Sequence, residues 1–301
     1  MPRYFIPLSQ PARGHLAMLG FSFGIAGSFS LGGLVATLIS PVALTASRFA
    51  LAAIIIGVVA GLNLRLSRQH FQGSWRYCVG GMLMSVYFVL MFIALKTASP
   101  VSVSTVFTLT PLLSGVFGWL LLRQVMSRSS ILALGIGALG AVWVIFRGDL
   151  DAMLSLRIGT GELIFFLGCV SHALYTPFVR KVNRGEPVQV FVFGMLVSGA
   201  ILLGLFGWHD VAETPWTILP GIVWIAIAYL TIIATVLTFL AVSYASLRLP
   251  AAKVMAYTYL TPSWVLVWEA ALGHGWPDGK IAIGLVAIVI ALLMLLRHEP
   301  G

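Results

Sequence analysis

From Leu16 to Ser47 the chain carries no charged side chain, and runs of this kind recur to its end. A spanning helix needs about 20 mostly apolar residues, whereas the apolar part of a leader peptide ends within about 15. The first run is therefore read as a membrane helix and part of a second. The 301 residues hold 18 Lys+Arg and 9 Asp+Glu, or 9% charged, against 59% hydrophobic. A water-soluble domain uses about 25% charged residues, so a soluble enzyme or a disordered chain is excluded. Outer-membrane strands alternate apolar and polar residues, which these unbroken runs do not. The fold class expected is an all-α integral membrane protein.

Proline, glycine and charge clusters divide the runs into ten transmembrane helices, near 16–37, 42–62, 75–96, 99–122, 129–146, 160–180, 187–207, 217–246, 251–271 and 280–297. On this count only Arg48, Lys96, Arg147, Arg157 and Lys280 fall opposite the N-terminus, while the other 13 of the 18 basic residues share its side. Cytoplasmic loops carry the excess of Lys and Arg, so both termini are expected in the cytoplasm of a bacterial-type inner membrane. The net charge of +9 is then a matter of topology, and no nucleic-acid partner is expected. Cys78 and Cys169 lie in apolar runs without a CxxC and read as packed thiols.

Features repeat at half the chain length. Pro100 precedes the fourth helix and Pro250 the ninth; Thr110-Pro111 returns as Thr261-Pro262; Arg147 closes the fifth helix and Arg297 the tenth. Five helices per half forces the halves, 1–150 and 151–301, to enter the membrane from opposite sides. Two inverted five-helix repeats are the expectation, an arrangement typical of secondary transporters.

Several short stretches now converge. Ala46-Ser47-Arg48-Phe49-Ala50-Leu51-Ala52 lies in the second helix, His172-Ala173-Leu174-Tyr175-Thr176 in the sixth, and Tyr259-Leu260-Thr261-Pro262 in the ninth. In order and spacing the chain resembles the EamA-type ten-helix carriers of the drug/metabolite transporter superfamily over nearly its whole length. His172 stands where that family's segment has Trp. Arg123-Gln124 and Gly273-His274 stand where members often carry Gly-Glu, so no role passes to such a glutamate. The resemblance implies an exporter of small metabolites with helices five and ten outside the pathway; a monomer without cofactors is expected. Amino acids are the preferred substrate class.

Pro111 and Pro262 fall mid-span, where proline removes a backbone donor and breaks the helix. Matched breaks in two repeats point to a midplane binding site, although a packing kink would look the same. The candidate lining is Ser28, Met84, Tyr87, Thr108, Pro111, His172, Tyr175, Thr235, Tyr259, Pro262 and Trp264. Hydroxyls on these faces can equally join helices together. Arg48, Lys96, Lys253, Glu162 and Glu269 lie within about two turns of a span end and are expected to snorkel to the interface. The cavity should then hold hydroxyls, aromatic rings and His172 but no full charge. This suits neutral or zwitterionic amino acids and not phosphorylated solutes, which want basic clusters.

Gly135-x-Gly137-x-x-Gly140 has the dinucleotide spacing but sits in an apolar helix with no preceding strand, and reads as small-residue packing. Gly20-xxx-Gly24 and Gly57-xxx-Gly61 read the same way. An intramembrane enzyme would need an HExxH, GxSxG or acidic metal motif; the first and last do not occur, and Gly20-x-Ser22-x-Gly24 has the GxSxG spacing inside an apolar run without the strand-to-helix turn that motif needs. A channel or facilitator for small solutes is the alternative; no ring of filter residues suggests it.

Overall fold

The computed structural model describes residues 9–63, 72–146, 148–154, 158–246, 248–249, 251–275 and 279–297. These residues form helices and connections, without a strand among them. The long elements are α1 (Gln10–Val35), α2 (Pro41–Asn63), α3 (Trp75–Ala94), the pair α4 (Pro100–Phe107) and α5 (Thr110–Leu122), and α6 (Arg128–Ile145). After the short α7 (Leu150–Leu154) come α8 (Thr160–Val182), α9 (Val188–Phe206) and the short α10 (Trp208–Glu213). The remainder is α11 (Gly221–Thr231), a π turn at Ile232–Leu237, α12 (Thr238–Ser246), α13 (Ala251–Ala256), a 3₁₀ turn at Tyr257–Leu260, α14 (Thr261–Ala271) and α15 (Gly279–Arg297).

Nine helices among the described residues are long and apolar enough to cross a membrane, with α4–α5 and α11–α12 each counted as one. The stretch from α13 to α14 is helical throughout but changes type twice, and no single segment of it reaches spanning length.

Local chemistry sets the helix starts. Ser9, Ser99 and Ser127 cap α1, α4 and α6, their hydroxyls accepting from the N–H of Ala12, Ser102 and Ser130 at 3.2–3.3 Å. Pro100, at the first position of α4, loses no bond there. The mid-span breaks fall at the two Thr-Pro pairs: α5 starts at Thr110 and α14 at Thr261. Each is preceded by a leucine of nearly equal backbone angles, Leu109 at φ −77°, ψ −16° and Leu260 at φ −77°, ψ −13°.

Packing is close where glycines face each other. α3 crosses α9 at Gly81, where a Cβ would lie 2.7 Å from the Gly199 nitrogen and the Met195 carbonyl oxygen. α6 meets α15 at Gly140 and Gly284 in the same manner, where a Cβ on either would lie 2.6 Å from the other's carbonyl oxygen. Direct backbone contact of this kind gathers many small dispersion terms and needs no hydrophobic drive, which lipid cannot supply. The GxxxG pairs behave unevenly: Gly24 packs on Ile233 and Thr238 and Gly57 on Phe193, whereas Gly20 and Gly61 have nothing against them.

The largest buried cluster draws Ala26, Phe29, Tyr87, Met91, Phe107, Phe165 and Ile227 from α1, α3, α4, α8 and α11. A separate cluster joins α6, α13 and α15 through Ala133, Leu134, Ala256, Ile288 and Ala291, with Tyr259 of the 3₁₀ turn.

Candidate functional site

At the centre of the bundle the rings of Tyr87 (α3), Phe107 (α4), Phe165 and His172 (α8) pack together. Tyr87 lies 4.6 Å from His172, 5.7 Å from Phe165 and 5.9 Å from Phe107, centroid to centroid. Phe29 of α1 joins at 5.9 Å from both phenylalanines. His172 Nδ1 is buried without a hydrogen-bond partner. Met84 lies along the same α3 face and touches this cluster and the one around Phe49. Tyr175, one turn beyond His172, packs on that second cluster over Gly80.

Arg48 lies beside these rings. The guanidinium sits 3.9 Å above the centre of the Phe88 ring, which itself lies 4.7 Å from the Tyr87 ring. Its residue is 1% exposed. Nε donates to Thr235 Oγ1 at 2.7 Å, and one terminal nitrogen, Nη2, donates to the Ala234 carbonyl at 2.9 Å. The other, Nη1, is buried and unpartnered. No carboxylate of a described residue pairs with it: the ion pairs there are Arg76–Glu186, His209–Glu213 and His274–Glu269.

This corrects the expectation that Arg48 snorkels. It lies seven residues past Pro41, about 10 Å along the helix at 1.5 Å per residue, and its side chain is taken up inside the bundle. The reason lies across the interface, in the π turn of the eighth span. There the Thr238 N–H bonds to Ile233 and Thr235 oxygens rather than to the Ala234 carbonyl, which turns to the guanidinium. Thr235 donates its hydroxyl to the Leu230 carbonyl five residues back and so presents a lone pair to Nε. A π turn carries one residue more than an α turn and often marks a functional position. Position within α2 was the signal in the sequence; the π turn left none.

Glu162 and Glu269 are also withdrawn from solvent. Ser102 donates to Glu162 at 2.6 Å, and Glu269 pairs with His274 at 2.8 Å. Of the other candidates, Ser28 and Thr108 are buried, donating to Ile25 and Thr105 carbonyls of their own helices. Trp264 donates to Ser22 Oγ at 3.0 Å and stands edge-on to Phe23 of α1. Pro111 is half-buried and Pro262 buried, each at the second position of its helix. Tyr259 is fully buried in the cluster with α6 and α15, against Gly137 and apart from the Tyr87–His172 group.

At one face of the membrane bundle Arg76 and Glu186 form a buried ion pair. Arg76 also donates to the Val182 carbonyl at 2.8 Å, and the Arg184 N–H donates to Glu186 at 2.9 Å, tying the start of α3 to the α8–α9 connection. Burial opposes ionisation of Glu186, but these donors outweigh it and hold its carboxyl below the usual value.

The EamA-like transporter family model matches residues 12–146 and 159–297. The chain belongs to the EamA-like transporter family. A relative, the uncharacterized transporter YyaM of Bacillus subtilis (strain 168), is 26% identical over 282 residues, covering 93% of this chain and 92% of its own. A solved crystal structure of 21% sequence identity superposes with a TM-score of 0.63, covering 95% of this chain and 98% of that one, and so shares the fold. The protein is a multi-pass membrane transporter, and the family and the relative both point away from an enzyme.

Proposed function

We propose that the chain is a secondary transporter exporting small metabolites, neutral or aromatic amino acids above all, by alternating access between two inverted five-helix repeats. In this reading the stretch from α13 to α14 is the ninth of ten spans and both termini face the cytoplasm of a bacterial-type inner membrane. Residues 1–150 and 151–301 are the repeats.

The observation that carries it is the pattern of helix neighbours. Number the spans one to ten and exchange each with the span five places away. The pairs five–ten (α6 with α15), two–seven (α2 with α9) and four–nine (α4 with α14) return to themselves. The pair three–six (α3 with α8) becomes eight–one, which is α12 and α11 with α1; three–seven (α3 with α9) becomes eight–two, α11 with α2. The contact of four with six (α5 with α8) becomes nine with one, α14 with α1. The two matched family segments and the twin turns at Leu109 and Leu260 support the same reading. Such a bundle can exchange its two openings by exchanging the conformations of its halves.

Tyr87, His172 and Tyr175, with Met84 and Thr235, are proposed to line the path, and the breaks at Pro111 and Pro262 to flex it. Trp264 and the buried hydroxyls of Ser28 and Thr108 border it in this proposal. Tyr259, set against α6, belongs to the packing of the ninth span on the fifth.

The test is counterflow of radiolabelled leucine and phenylalanine into liposomes holding the purified protein, with and without a pH gradient. Saturable counterflow, lowered by Tyr87→Ala and His172→Ala, is expected and separates a carrier from a channel. Preferential movement of sugar phosphates, or uptake that never saturates, overturns the reading.

A further inference from the structure

We propose that the free edge of Arg48 is the binding site for a carboxylate on the transported solute. The proposal rests on the transporter reading and adds the one chemical group that every substrate must carry.

The geometry is a buried donor edge on a rigidly held cation. A guanidinium offers five N–H donors in one plane. Here Nε and Nη2 are held by Thr235 and Ala234, and the Phe88 ring covers one face of the guanidinium at 3.9 Å, so the plane is fixed. Nη1, with two N–H groups, has no partner, although the residue is 1% exposed. A buried cation without a counter-ion is strongly unfavourable in a membrane interior, and such residues mark substrate or ion pathways. Both acceptors of Arg48 and the ring over it are neutral. An arriving carboxylate would restore charge balance and take hydrogen bonds from Nη1, whose plane is already fixed and which neighbouring side chains must part to uncover.

Two further features fix the solute's character. The surroundings are aromatic and neutral, with Phe88, Tyr87 and His172 in succession, so one negative charge is matched and a second is not. A phosphate monoester carries close to two charges at neutral pH and would meet a single cation. The chemistry recognised is thus a monocarboxylate on a compact, largely apolar body, whether a zwitterionic amino acid or a simple organic acid. Arg48 would be a substrate-binding and specificity residue of the carrier.

The experiment compares three probes of one shape: leucine, its deaminated acid isocaproate, and leucinamide, which has the body without the carboxylate. Binding to the purified full-length protein is measured by calorimetry and transport by counterflow in liposomes. Wild type is expected to prefer leucine or isocaproate over leucinamide by about 100-fold, the usual scale for a buried charge pair. Isocaproate binding as tightly as leucine assigns a monocarboxylate carrier; leucine alone binding assigns an amino-acid carrier. Arg48→Gln should abolish the preference for acid over amide, while Arg48→Lys should keep a reduced one because charge remains without the fork. The wild-type comparison needs no variant to fold. Equal affinity of wild type for acid and amide overturns the proposal, as does no binding of any probe or an undiminished preference in folded Arg48→Gln. Arg48-dependent binding of a carboxylate without counterflow would leave this site standing and overturn the transport reading instead.

Discussion

Gly137 lies directly against the Tyr259 ring, and a Cβ there would overlap it. Gly135, two residues away on another side of α6, faces open space. Gly137→Val should therefore destabilise the protein by about 2 kcal/mol, in the range for overpacked sites, and Gly135→Val should not. Melting in detergent, followed by tryptophan fluorescence, distinguishes the two; equal effects would refute the assignment. Glu186 gives a pH dependence whose sign follows from its lowered carboxyl pKa. Such a group stabilises the fold above its unfolded value and loses that contribution as pH falls through the folded value. Wild type should thus be more stable than Glu186→Gln at pH 7, by about 3 kcal/mol for breaking a buried pair. The gap should narrow as pH is lowered to about 3, below the ordinary carboxylate value, and close only once the still lower folded value is passed. A gap unchanged between the two pH values would exclude the ion pair as its source.

Helices four and nine of the proposed ten carry the clearest agreement between sequence and structure. The Thr-Pro pairs at 110–111 and 261–262 were legible because proline cannot continue the hydrogen-bond ladder, and each pair opens a new helix. Pro111→Ala and Pro262→Ala should let the two segments fuse, raising thermal stability while lowering counterflow about tenfold, since a continuous helix bends less readily. Initial-rate measurements in liposomes check this; unaltered rates in both would show the breaks to be passive. The π turn was illegible. Ile232-Ile233-Ala234-Thr235-Val236-Leu237 is as good an α-helix in sequence as its flanks, and only the packing against α1 and α2 shows the extra residue. Arg48 was visible but assigned to the interface, because its acceptor partners lie 186 and 187 residues away in sequence.

For the molecule as a whole, composition decided the environment and the charge pattern proposes its sidedness, while the interior had to be seen. Side chains in lipid cannot be sorted into inside and outside by polarity alone, so Tyr175 and Tyr259 look alike in sequence yet join different clusters. The sidedness can be tested with single cysteines at Arg123, Arg184, His209 and Gly275, in a protein freed of Cys78 and Cys169. With ten spans, the first two should react with an impermeant maleimide only from the cytoplasmic side and the last two only from the other. Arg184 and Gly275 reacting from one side would remove a span from the proposed count.

The extra residue at Ile232–Leu237 also sets the phase of everything after it. Each residue turns an α-helix by about 100°, so a helix that gains one residue presents a different stripe beyond the insertion. The α12 stripe that meets α1 at Gly24, with Thr238 among its members, faces that way because the count before it is one too many. Deleting a single codon within the turn would keep the span apolar and nearly as long, yet rotate its second half like a key cut for another lock. The lesson for reshaping this carrier is that residues there other than Thr235 can be exchanged, but none lost or added one at a time.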